Sequence, residues 1–415
     1  MFTASRPRRV WIAWTALVVG ALGSTAAWPA SKTTRATGFQ RGDAPGRFAQ
    51  ILRVIRDSNA PELIGTRVWS SLVAQHREAV VSCTTHGAFA AAVNRLIDDS
   101  SVSHFHYYTD DDWQYWHLQS TFGDEGARTE LEHVGIIPDE IDNRWFVRGI
   151  LEGSPAAGLD IRVGDEILTV DGLPYSPVAS FRHRAGAPVT IRVHRRPGQT
   201  HEVEAIPVKE SLYKAMQRAI IESISTVEHE GFRFAYLHGW TLLGQGREYD
   251  QLADLQGRVD GLLLDYRDGL GGTWHAAQRF LVGDDDDLAG DVPPRWIKPV
   301  VILTGEGTRS AKEIVVHKVK KARRAPLVGD STPGHVVSVG ALRQIGDDGL
   351  LMLPGQRFAL EGKPTEPDYA VQRDIRHCAG ADPQMDFAKK LLARMAREQR
   401  QLAKSQPAAA RNGAN

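Results

Sequence analysis

Beyond residue 46 the apolar positions of the chain follow three successive patterns. From about Phe48 to Leu96 they recur at helical spacing, as in Phe48, Ile51, Leu52 and Ile55, and again in Ala88, Ala91, Val93 and Ile97. That spacing predicts a pair or trio of amphipathic helices. A polar stretch from Asp98 to Asp112 follows, holding Ser103, His104 and His106. Between about 130 and 208, short apolar runs alternate with turns. Val134-Gly135-Ile136-Ile137 and Trp145-Phe146-Val147 read as strands, Ser154–Leu159 as one helical turn, and Val189–Val193 as a half-buried strand. From 209 onward, continuous apolar strands at Gly261–Asp265 and Val300–Thr304 are each followed by a turn and a helix. This is α/β order. A last helix is expected from about Pro383 to Leu402. The predicted division is a signal segment at 1–30, a linker at 31–46, a helical part at 47–129, a β-rich block at 130–208, an α/β core at 209–395 and a disordered tail at 396–415.

The first segment changes the picture of where the chain works. Arg6, Arg8 and Arg9 precede the uncharged run Val10–Gly23, and small residues follow at Ser24–Ala27. This is the order of a secretory signal. A membrane span needs about 20 apolar residues, and the run is shorter. An uncleaved N-terminal anchor and a twin-arginine reading of Arg8-Arg9 stay open. The expectation is an exported protein, periplasmic or secreted.

Composition excludes several classes. The chain has 415 residues, 50 basic against 50 acidic, with 42% hydrophobic and 24% charged residues. The balance gives no electrostatic drive toward nucleic acid or an anionic membrane. Two cysteines rule out a disulfide scaffold or a cysteine zinc cluster. Cys83 and Cys378 either pair in an oxidising compartment or remain buried thiols. Zinc held by His104, His106 and His117 is the metal alternative, on the expectation that His104 and His106 share one strand face. No acidic helper stands at a recognisable spacing from them. Asp284–Asp287 lacks the spacing of a calcium loop. No metal or cofactor is expected.

Three motifs carry candidate chemistry. Asp265-Tyr266-Arg267-Asp268-Gly269-Leu270-Gly271-Gly272 follows an apolar strand, and its glycines can expose backbone N–H groups. It lacks the Lys-Ser/Thr of a phosphate loop, and such N–H groups suit an oxyanion hole. Gly307-Thr308-Arg309-Ser310-Ala311-Lys312-Glu313 places Ser310 at a helix start, where an N-cap serine is common. Glu361-Gly362-Lys363-Pro364-Thr365-Glu366-Pro367-Asp368 alone is a turn.

Ser154-Pro-Ala-Ala-Gly-Leu159 followed by Val163-Gly-Asp-Glu-Ile-Leu-Thr-Val-Asp-Gly172 resembles a PDZ domain. The resemblance implies a peptide C-terminus held at Val134, Gly135, Ile136 and Ile137. Behind that block, the three motifs in this order, with Gly329-Asp-Ser-Thr-Pro-Gly334, resemble the C-terminal processing (tail-specific) and tricorn-type serine peptidases. The resemblance covers about Phe48 to Val371 and implies a crotonase-like α/β core carrying an inserted PDZ domain. Two departures stand out: Gly269 replaces the usual Asn, and His335 occupies the position of the processing branch's dyad lysine. The tricorn branch instead pairs an upstream Ser-His with the nucleophile and a downstream Glu. That implies Ser310 as nucleophile, His104 as base, and Ser103 and Glu361 as groups that orient the imidazole. Gly271 and Ala311 would form the oxyanion hole, with Gly272 as alternative, and His335 is the competing base. The implied activity is peptide-bond hydrolysis of polypeptides at C-termini or in unfolded segments. The alternative is a catalytically inactive peptide-binding protein on the same scaffold.

Overall fold

The computed structural model describes residues 38–405, apart from 124–125, 245 and 284–291. The expected signal segment, Asp284–Asp287 and the last ten positions lie outside the described residues. No described helix is long and apolar enough to cross a membrane.

Four helices open the described residues: α1 (Ala44–Arg56), α2 (Ala60–Ile64), α3 (Thr66–Val81) and α4 (His86–Asp98). α1 therefore starts inside the segment expected to be linker. Strand β1 (His106–Thr109) and helix α5 (Trp113–Phe122) follow. The expected polar stretch thus contains a strand, and its alternating burial explains why: Tyr107 and Thr109 point inward. His104 lies outside that strand with φ +57, so it does not share a strand face with His106. This corrects the geometry on which three-histidine zinc binding depends.

The β-rich block is bounded by β2 (Leu131–His133), whose antiparallel partner is β9 (Val208–Glu210). Between them lie β3 (Ile136–Ile141), β4 (Arg144–Ile150), β5 (Glu166–Val170), β6 (Leu173–Pro174), β7 (Val189–Arg196) and β8 (Gln199–Ala205). Their sheet runs β3-β4-β5-β7-β8, with β6 beside β5. Its core joins Val134, Val147, Ile167, Phe181, Ile191 and Val193.

The chain then builds α6 (Leu212–Ser223), β10 (Ser225–His229), β11 (Phe232–His238), α7 (Arg247–Leu255), β12 (Gly261–Asp265), α8 (His275–Leu281), β13 (Val300–Thr304), α9 (Ala311–Lys321) and β14 (Leu327–Gly329). β15 (Val337–Ile345), β16 (Gly349–Arg357), β17 (Tyr369–Ala370) and α10 (Pro383–Ser405) complete it. The central sheet has the order β10-β11-β12-β13-β14-β17. It is parallel from β11 onward. β12 and β13 are buried along their whole length. Continuous apolar strands of this kind belong to a parallel sheet covered on both faces. One face packs on α6, α8 and α9 residues such as Met216, Phe280 and Val315. The other packs on α10 through Leu391, Leu392 and Ala396. α10 runs to Ser405, so the first part of the expected tail is helix.

The hairpin β15–β16 departs from the simple division. It pairs with β1 rather than with the central sheet. Ile345, Leu351 and Leu353 share a core with Phe48, Phe89 and Tyr107 of the N-terminal part. This pairing carries the segments around His104 and Glu361 toward the end of the central sheet. Both cysteines are free thiols, and each sulfur faces a backbone carbonyl, Ala79 for Cys83 and Val163 for Cys378.

Candidate active site

Loops at the carboxyl ends of parallel strands are the usual place for a site in such a sheet. Here the turns after β12 and β13 meet. Gly305 N–H donates to Thr308 Oγ1, whose hydroxyl donates to the carbonyl of Tyr266 at 2.9 Å, locking the two turns together. Gly307 stands where a Cβ would come 2.2 Å from the Arg267 carbonyl.

Ser310 caps α9 with φ +58 and ψ −126, a backbone state that L side chains rarely adopt. Its side chain makes no capping bond, so the bland N-cap reading does not hold. Its N–H donates to the carbonyl of His335 at 3.0 Å. Among the described residues the Ser310 hydroxyl has no hydrogen-bond partner. The Ala311 N–H, at the first helical position, is also unpaired among them, as are those of Gly271 and Gly272. Gly271 lies against this point: a Cβ there would sit 2.6 Å from Ser310 Cβ and 2.9 Å from Ala311 N. The glycine loop is itself fixed. Leu242 N–H donates to the Gly271 carbonyl at 2.8 Å, and Thr273 N–H donates to Leu242. Gly269, where the family's Asn is usual, has φ +80 and leaves no room for a side chain beside the Trp240 carbonyl.

Ser103 Oγ is 3.2 Å from His104 Nδ1. Burial, followed by the charges of Arg309 and His335, lowers the His104 pKa to about 4. The imidazole is therefore neutral over the physiological range. Its electrostatic neighbours flank Ser310: Arg309 precedes it, and the carbonyl of His335 receives its N–H. Neither imidazole is hydrogen-bonded to the Ser310 hydroxyl, and substrate-free sites are often loose in this respect. His335 itself is exposed. Glu361 does not touch an imidazole. Its carboxylate accepts from Ser103 N–H at 3.4 Å and from Val336 N–H, so it ties the His104 segment to the His335 segment through their backbones. Asp368 serves the sheet instead. It accepts from Leu327 N–H at 2.8 Å and fixes the start of β14.

Sequence reasoning assigns no role to four residues that organise this region. Glu313 accepts from Thr332 Oγ1 at 2.6 Å and from the N–H groups of Gly334 and His335, both at 2.7 Å. It holds the loop whose carbonyl restrains Ser310. Lys312 is fully buried, and its ammonium donates to the carbonyls of Asp268 and Trp240. Burial lowers its pKa to about 7. Arg267 donates to Asp265 at 2.9 Å and to Asp382 and Gln384, both at 3.0 Å, in a buried network below the glycine loop. Burial opposes ionisation of Asp265, yet Arg267 holds its pKa well below the usual carboxylate range. Arg148 of β4 reaches Asp268 at 2.8 Å and Asp139 at 3.0 Å, linking the β-rich block to the same loop. No fixed spacing of acidic and basic residues signals these partners, because most of their contacts are to backbone or to remote elements.

The segment Val134–Ile137 lies at and beside the edge strand β3. Val134, Ile136 and Ile137 are buried. With Trp113, Phe181 and Leu212 they enclose a cavity of only about 20 Å³, room for about one water.

Comparisons with known proteins find the following likenesses. Residues 233–377, which carry the glycine loop, Ser310, His335 and Glu361, match the profile of Peptidase family S41. The chain is 28% identical over 312 residues to tricorn protease homolog 1 of Streptomyces coelicolor, covering 63% of this chain and 28% of that one. It is 23% identical over 238 residues to the carboxy-terminal processing protease CtpA of Bacillus subtilis, covering 51% of this chain and 48% of that one. Among solved structures, the photosystem II D1 C-terminal processing protease aligns at 17% identity with a TM-score of 0.46, covering 81% of this chain and 97% of that one. The chain spans about a third of the length of the tricorn-type relatives and about half of CtpA. It is thus related to the C-terminal processing and tricorn-type peptidases of family S41, a family of peptide hydrolases.

Proposed function

We propose that this chain is an exported serine endopeptidase of the tail-specific type that cleaves peptide bonds through an acyl-enzyme on Ser310. The observation that carries this reading is the unpaired Ser310 hydroxyl on a strained turn beside the unpaired N–H groups of Gly271, Gly272 and Ala311. A serine hydroxyl becomes nucleophilic when a base removes its proton. His104 takes that role, steadied by Ser103 Oγ at Nδ1. The tetrahedral oxyanion is received by Ala311 and Gly271 N–H, and the imidazolium returns its proton to the leaving amine. Water then releases the acyl group by the same route. Glu361 positions the Ser103 and Val336 segments rather than bonding the imidazole. His335 is the competing base. The β-rich block is read as a PDZ domain that takes substrate C-termini at Val134–Ile137. Its cavity must widen before a peptide side chain enters.

The test is labelling by a fluorophosphonate, with hydrolysis of an unfolded protein measured alongside. The reading expects both activities in the wild type, and neither in Ser310→Ala or His104→Ala, while His335→Ala keeps them. Loss in His335→Ala with His104→Ala active would move the base to His335. A folded wild type that neither labels nor cleaves would overturn the enzyme reading in favour of a peptide-binding protein.

A further inference from the structure

A second cluster of chemically able side chains lies away from Ser310, where the segment after β17 crosses the β-rich block. That segment is strapped down by several contacts. His377 N–H donates to the Gly164 carbonyl at 2.8 Å, Gly380 N–H to the Val163 carbonyl at 3.0 Å, and Arg376 reaches Asp142 at 3.3 Å. Gly164 is required there, since a Cβ would meet the Ile375 carbonyl at 2.1 Å. The strap brings His377 over β5 and β7, beside Glu166 and His194. One ligand atom from each of these three residues lies within 4.8 Å of the others.

We propose that Glu166, His194 and His377 form a binding site for a divalent transition metal of the zinc class, which would pin the strap to the β-rich block. The edges of the triangle carry the inference. His194 Nδ1 is 3.2 Å and His377 Nε2 is 3.8 Å from Glu166 Oε2. With metal–ligand distances of about 2.0–2.2 Å, neighbouring ligands of a tetrahedral zinc are about 3.3 Å apart. Two edges therefore lie close to that spacing, and the third, within 4.8 Å, must shorten by up to about 1.5 Å to enclose an ion. Two imidazoles and one carboxylate select zinc, cobalt or nickel over calcium or magnesium.

The present occupant of the site is also informative. Arg144 donates to Glu166 Oε1 at 2.7 Å, and its Nη2 approaches both Glu166 Oε2 and His377 Nε2, the latter at 3.1 Å. A guanidinium has no acceptor atom, so His377 Nε2 must present its lone pair. That is the form of imidazole that binds a metal. A cation already fills this position, held by the groups a metal would use. The Arg144 side chain is 46% exposed and can swing out. In its present position the guanidinium carbon already lies 5.3 Å from the Phe146 ring centroid, so that contact is given up when the side chain leaves. Cys378, although adjacent, directs its sulfur to Val163 and leaves the fourth coordination position to solvent.

The experiment titrates chelator-treated, full-length protein with Co2+ and reads the intense visible absorption of tetrahedral cobalt, followed by displacement with Zn2+. The expected result is one ion per chain. Affinity should fall about tenfold or more in His194→Ala and His377→Ala, which each remove a ligand. Arg144→Ala should bind more tightly than wild type, a gain that misfolding cannot imitate. Zn2+ should also slow amide exchange in residues 373–381 of the wild type and not of His377→Ala. Absence of stoichiometric binding in both wild type and Arg144→Ala would overturn the proposal. So would binding that survives unchanged in both histidine variants, which would place the ion elsewhere. None of these readouts depends on peptidase activity.

Discussion

Lys312 offers a test of the site's foundations that needs no substrate. Its ammonium is fully buried and donates to the carbonyls of Asp268 and Trp240, which bracket the glycine loop. Burial lowers its pKa from 10.5 to about 7. On unfolding, the amine regains its ordinary value. Between these values the unfolded chain therefore binds more protons than the folded one, and stability rises with pH. Each unit of difference is worth about 1.4 kcal/mol per group. From pH 6 to pH 9 this one side chain should add about 2–3 kcal/mol to the unfolding free energy. Below about pH 7 the amine is charged in both states and the burial cost is felt in full. Lys312→Met keeps the length and removes the proton site, while leaving the Asp268 carbonyl unpaired at about 1–3 kcal/mol; the Trp240 carbonyl keeps the Leu270 N–H at 2.7 Å. The difference between wild type and variant should thus shift in favour of the wild type as pH rises. Urea unfolding of both proteins at half-unit pH intervals measures it. Parallel stability curves across pH 6–9 would refute the reasoning. Fluorophosphonate labelling of the variant should also slow, because the glycine loop loses its tether to α9.

Other substitutions separate chemistry from support. If His104 is the base, its pKa of about 4 puts the acid limb of kcat/KM near pH 4, well below the 6.5 of an ordinary imidazole; a limb near 6.5 would remove His104 from the role. Gly271→Ala brings a methyl to 2.6 Å from Ser310 Cβ and 2.9 Å from Ala311 N, and should cost about 100-fold or more in kcat together with about 1–3 kcal/mol in unfolding free energy. Glu361→Gln keeps an acceptor but loses the charge that receives Ser103 and Val336 N–H. It should cost about 1–3 kcal/mol in urea unfolding, with the acid limb unmoved if the carboxylate acts only through backbone. Arg267→Ala strands Asp265 and Asp382 and should cost about 3–5 kcal/mol, measured by the same unfolding assay.

What the sequence discloses and what it hides divide along physical lines. β12 and β13 are legible because a strand covered on both faces is apolar throughout. Ser310 and the glycine loop are legible because short motifs after such strands carry their geometry locally. His104 is misplaced by a reading of alternation, which puts it on a strand, whereas its φ of +57 puts it in a bend before β1. β15–β16 falls in the α/β core by position, but its apolar residues answer to Phe48 and Phe89, far back in the chain. Lys312 is hidden by its type. Lysines are almost never fully buried without a partner, and here the partners are carbonyls, which no side-chain pattern reveals. Glu361 is legible from its motif, yet it accepts from two backbone N–H groups, so any orientation of the imidazole by it runs through the Ser103 backbone.

The strain at Ser310 joins these elements into one argument. A non-glycine residue in such a backbone state costs about 1–3 kcal/mol and persists only where its surroundings over-determine it. Three bonds do so here. The His335 carbonyl receives the Ser310 N–H, Glu313 fixes the His335 N–H, and Glu313 N–H returns to the Ser310 carbonyl at 2.9 Å. The same closed circuit goes with the loss of the serine's ordinary capping role, since its N–H and carbonyl are committed while its hydroxyl makes no bond to the helix. Helix capping by Ser310 would have stabilised α9 at no cost in backbone strain. A chain that forgoes it, and adds a buried lysine and a buried glutamate to hold the arrangement, has stability arranged around a half-buried hydroxyl beside unpaired N–H groups, as the proposed acyl transfer requires.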